Sequence, residues 1–135
     1  MNDIWVRKAE KRDIPLLAHW ITNTPNNLLD PGVFNYPNTT VLVAHRDKPT
    51  AYLPVQLTMT LESLAFPPDA PKVHKAASIA QLIKTAVFMA REKQIAEIYF
   101  YTHDPSIAEF ALRHKFEELP HRSFRLRVSD LESTE

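Results

Sequence analysis

One glycine among 135 residues, set against eleven prolines, is the first oddity of this chain. Nearly every turn must be made without the residue that takes positive φ most easily, so glycine-built phosphate loops are absent in their usual form. There is no cysteine, which excludes disulfides and thiolate metal or redox chemistry. Net charge is also missing: sixteen Lys plus Arg balance sixteen Asp plus Glu, so no global field draws in nucleic acid and any polyanion site must be local. No apolar run nears the roughly eighteen residues of a membrane helix. The start, Met1-Asn2-Asp3-Ile4-Trp5, lacks a basic region followed by an apolar stretch, so the expectation is a cytoplasmic protein without membrane attachment. What is present, 44% hydrophobic and 24% charged residues, suits one ordinary domain over 1–128 with a polar tail over 129–135.

Periodicity orders the chain. Ile4 to Ala9 reads as a strand, and Asp13 stands as an N-cap before a helix with Ile14, Leu17, Trp20 and Ile21 on one stripe. Thr22 to Asn38, rich in Asn, Pro and Thr and holding Gly32, reads as a loop pinned by Leu28, Leu29, Phe34 and Tyr36. Thr40–His45 and Thr50–Met59 form a hairpin in which Pro54 marks an edge or a bulge, and Leu61–Phe66 is a further strand stopped by Pro67-Pro68. A long helix starts near Ala76, with Ile79, Leu82, Ile83, Ala86, Val87 and Ala90 at helical spacing. Ile95–Thr102 reads as a buried strand. Asp104 and Pro105 then open a helix that ends at Phe116, and Ser123–Val128 alternates as a half-buried antiparallel strand. The result is an α/β (α+β) chain with a mixed sheet and helices on both faces.

Three stretches carry a family resemblance over nearly the whole chain: Val6-Arg7-Lys8-Ala9 with Asp13, the long helix following Leu64-Ala65-Phe66-Pro67-Pro68, and Pro105 to Phe116. With the element order, they resemble the GNAT superfamily of acyl-CoA-dependent N-acyltransferases. The resemblance implies a mostly antiparallel central sheet of about six strands flanked by helices. It also implies acetyl-CoA or another acyl-CoA as cofactor, a primary amine as acceptor, and is compatible with a homodimer. The family grips the cofactor pyrophosphate with a glycine-bearing turn at the start of the long helix, and here the matching stretch is Lys75-Ala76-Ala77-Ser78-Ile79-Ala80. The resemblance makes Lys75, Ser78, Ile79 and Ala80 cofactor-binding, with the strand backbone of Leu64, Ala65 and Phe66 pairing with the cofactor's amide-rich arm. Lys75 keeps the charge of the family's Arg without its planar fork, Ser78 replaces a glycine, and Ala111 stands where a tyrosine often protonates the leaving thiolate.

Each candidate has a plainer reading beside it. Lys72, His74 and Lys75 cluster at a helix start, where cations oppose the dipole and invite an anion, though short basic clusters are common in solvated loops. Glu62 sits where the family often keeps the base that deprotonates the amine, yet strand alternation alone puts a polar residue there. Tyr101, or Tyr99 on the same face, supplies a hydroxyl that could act as acid, while aromatics on a buried strand are usually core. His103-Asp104 resembles an oriented imidazole, but a helix cap is the simpler job for Asp104. The six histidines show no paired metal spacing, so no metal site is expected. Three functions remain open: an acyltransferase acting on a primary amine, a catalytically degenerate module of the same fold that only binds or assembles, or a small-ligand binder using the same cleft for something other than CoA.

Overall fold

The computed structural model describes residues 3–25, 32, 35–120 and 122–131. It divides into two compact units, Met1–Tyr101 and Thr102–Glu135. The expected loop anchors Leu28, Leu29 and Phe34 lie outside the described residues.

The first unit opens with strand β1 (Trp5–Lys8), a 3-10 turn over Lys11–Asp13 and helix α1 (Ile14–Asn23). Strands β2 (Thr39–His45) and β3 (Pro49–Gln56) complete an antiparallel sheet of order β1-β2-β3. Strand alternation sends Arg7, Val41, Val43 and Tyr52 to one face. There α1 places Leu17 and Ile21, one turn apart, against Val41 and Tyr52, and Leu17 and Val43 are the most completely buried side chains. Trp20 adds a tilted contact to Tyr52, ring centres 5.1 Å apart. On the opposite face Val6 and Leu53 are each 61% exposed, so among the described residues helices do not cover both sides of this sheet. Pro54 lies within the ladder opposite Val41 on the outer strand, and the irregularity falls instead between Ala44 and His45.

Asp13 corrects a sequence expectation. It makes no side-chain cap on α1. Its carboxylate turns back to accept both Arg7 guanidinium nitrogens, at 2.8 and 2.9 Å, and the Glu10 amide at 2.7 Å. The Arg7 hydrogen bonds, then the Glu10 amide, hold the Asp13 carboxyl well below the usual carboxylate range. Pairing with a guanidinium outweighs a backbone cap because both partners of that bond are charged.

The expected strand 50–59 splits, with β3 ending at Gln56 and strand β4 (Met59–Leu61) starting after a break. Of the strand expected over Leu61–Phe66 only Leu61 is regular, since its partner β5 (Ile98–Phe100) is itself three residues long. Helix α2 (Lys72–Glu92) connects β4 to β5, and the two strands pair in parallel. The helix starts four residues earlier than the spacing predicts, with Pro71 extended at its N-cap, and buries Ile79 and Ala90. Its C-terminal end is tied down by Asn38, whose side-chain amide donates to the Lys93 and Gln94 carbonyls at 2.9 and 2.8 Å. Asn38, Gln94 and Lys115 all take positive φ, so the glycine shortage is met by residues that pay a steric cost of about 1 kcal/mol each.

The second unit holds helix α3 (Pro105–Arg113). Asp104 caps it as expected, accepting from the Ser106 amide at 2.8 Å, with Pro105 in the first turn. The helix closes through Lys115 at φ 70° and a bond from the Phe116 amide to the Ala111 carbonyl at 3.0 Å, a Schellman-type end that satisfies an orphan carbonyl. The strand expected over Ser123–Val128 does not form: residues 122–127 take no regular structure, and Val128–Asp130 is a 3-10 turn. Phe124 is 90% exposed. Alternation specifies which side of a strand is apolar but supplies no partner for its backbone. Among the described residues there are thus five strands in two sheets, of three and two strands, rather than one sheet of about six.

Candidate functional site

The parallel pair and its crossover helix define the candidate site. In the ladder Met59 faces Ile98, Thr60 faces Tyr99 and Leu61 faces Phe100, with the Met59 amide also donating to the Glu97 carbonyl at 3.1 Å. The chain leaves β4 at Leu61, turns at Pro67–Ala70 through an Ala70 amide to Pro67 carbonyl bond of 3.1 Å, and enters α2. The first helical bond runs from the Lys75 amide to the Pro71 carbonyl at 3.0 Å, so the amides of Lys72, Val73 and His74 precede any intrahelical bonding. This strand-helix-strand order brings the helix N-terminus back to the end of the sheet from which β4 departs, the usual place for ligands in parallel sheets.

A cleft of about 330 Å³ lies between the proline-bounded loop and the first turns of α2, lined by Phe66, Pro67, Asp69, Ala70, Pro71, His74, Lys75 and Ser78. The Lys75 ammonium sits over the Phe66 ring, 5.5 Å from its centre. No acidic residue occupies the first turn of α2, so Lys72, His74 and Lys75 meet the positive end of the helix dipole uncompensated there. Asp69 is the carboxylate that lines the cleft, and its place in a loop between prolines gave no periodic signal by which to find it.

Of the sequence candidates, Phe66, Lys75 and Ser78 come together in this cleft. Leu64 and Ala65 are exposed and do not line it, Ile79 is buried on the inner side of α2, and Ala80 is exposed. Glu62 and Tyr101 are both exposed and directly follow the last residues of β4 and β5. Tyr99 donates its hydroxyl to the Glu97 carboxylate at 2.7 Å, and burial, with that bond second, pushes its phenol up to about 12. Its proton is committed, which leaves Tyr101 as the freer hydroxyl. Asp104 spends its carboxylate on the α3 cap rather than on His103. Among the described residues no group of three His, Cys, Asp or Glu side chains is arranged to hold a metal, and no helix is long and apolar enough to cross a membrane.

No protein-family model matches the chain, and no curated protein matches it in sequence. Solved structures do resemble it in outline. An integron cassette protein from the mobile metagenome of V. cholerae shares 13% identity, with 94% of this chain and 93% of that one covered and a TM-score of 0.43. A probable acetyltransferase shares 16% identity over 93% of this chain and 99% of its own, TM-score 0.40. A ribosomal-protein-alanine N-acetyltransferase from Brucella melitensis shares 13% over 92% and 98%, TM-score 0.38. These likenesses carry no residue role to this chain.

Proposed function

We propose that the protein binds an acyl-CoA, acetyl-CoA being the simplest, and transfers its acyl group to a primary amine. The observation that carries this reading is the cleft between the Phe66–Pro71 loop and the first turns of α2, which brings His74, Lys75 and Ser78 together at the N-terminal end of the helix that crosses between two parallel strands. A pyrophosphate fits such a site: the N–H groups of a helix start, the helix dipole and the Lys75 ammonium all favour an anion. The Lys75 and Ser78 side chains hold the phosphates and the Leu64, Ala65 and Phe66 backbone, outside any regular strand, meets the amide-rich arm, whereas Ile79 and Ala80 lie inside α2 with their amides committed to the helix.

The acyl thioester then lies beyond the ends of β4 and β5. Glu62 takes the proton that the attacking amine must lose, the carbon–nitrogen bond forms, the carbon–sulfur bond breaks, and Tyr101 returns a proton to the thiolate. A second reading, binding without turnover, is favoured by Ala111, which is buried and stands where the resemblance puts a tyrosine acid.

A melting scan with CoA tests the shared half of both readings, since ligand at a hundred times its dissociation constant stabilises by about 2.7 kcal/mol. No shift at millimolar CoA removes the cofactor. Amine acetylation assays separate the two readings. Glu62→Gln lowers the rate at neutral pH, with recovery as pH rises and free amine accumulates, while CoA affinity is unchanged. A shift with CoA but no transfer to any amine tested leaves the binding module.

A further inference from the structure

We draw no further inference here: the strongest candidate, the apolar face of the β1-β2-β3 sheet on which Val6, Leu53 and Val55 stand exposed, carries none because nothing in the structure shows what covers it.

Discussion

The sheet β1-β2-β3 with α1 and the crossover β4–α2–β5 belong to one unit and are built to different standards. In the first, long antiparallel ladders bury Val43 fully and Leu17 to 2% exposure, and Arg7 and Asp13 lock strand to helix start through two bonds. In the second, a three-residue parallel ladder supports a 21-residue helix that buries only Ile79 and Ala90. Its cationic first turn works against its own dipole. Stability is therefore concentrated away from the cleft, and the cleft region is the part whose order a ligand would improve.

The comparison breaks most visibly at Leu17. Leu17→Ala should cost about 2–5 kcal/mol by urea denaturation, because neighbours on α1 and β2 cannot fully collapse into the void. Leu82→Ala, at a side chain 55% exposed on α2, should stay within about 0.5 kcal/mol. Equal costs would mean that the two regions are packed alike.

The Arg7–Asp13 pair comes next. Its hydrogen bonds hold the Asp13 carboxyl below its unfolded value, so the stability it contributes is present above the unfolded pKa of about 3.9 and is lost as pH falls toward the folded one. Asp13→Asn should lower the melting temperature by several degrees at neutral pH and flatten its decline in acid. A parallel acid profile in the two proteins would remove Asp13 from the acid response.

How much of this was legible in the sequence follows the same division. Helical spacing showed α2, the Asp104–Pro105 pair showed the start of α3, and the hairpin β2–β3 was readable because local pattern and local pairing coincide there. Asp13 misled because the signal for a cap, an acid before an apolar stripe, is also what an arginine six residues away needs. Ser123–Val128 misled because alternation is intrinsic to a segment and pairing is not. At the cleft, the resemblance pointed to Lys75 and Ser78, but Phe66's ring and Asp69 enter through the fold of a proline-bounded loop that has no period to read.

Lys75→Glu sharpens the contrast by moving two measurements in opposite directions. The substitution removes a cation from the first turn of α2 and supplies an anion, so stability should rise by a few tenths to about 1 kcal/mol. Affinity for CoA should fall by an order of magnitude or so, since the phosphate meets a like charge. Isothermal titration and a melting curve on the same preparation check both. A protein that loses stability and binding together would make Lys75 a structural residue.

A further expected effect concerns Tyr99, whose hydroxyl is tethered to Glu97 beside the parallel ladder. Tyr99→Phe removes the 2.7 Å bond to Glu97 and should cost about 0.5–1.5 kcal/mol, the net worth of one hydrogen bond, well below Leu17→Ala. Its pH signature separates it from a packing effect. Burial and the Glu97 bond raise the phenol to about 12, above the unfolded value near 10, so the folded chain holds this proton longer than the unfolded one. The stabilisation is complete below pH 10 and drains away as pH rises through the folded value. Tyr99→Phe should therefore converge with wild type between roughly pH 10 and 12, a window followed by melting curves in alkaline buffer. Curves that stay parallel throughout would place the Tyr99 hydroxyl outside the balance, and the short ladder would then rest on backbone pairing alone.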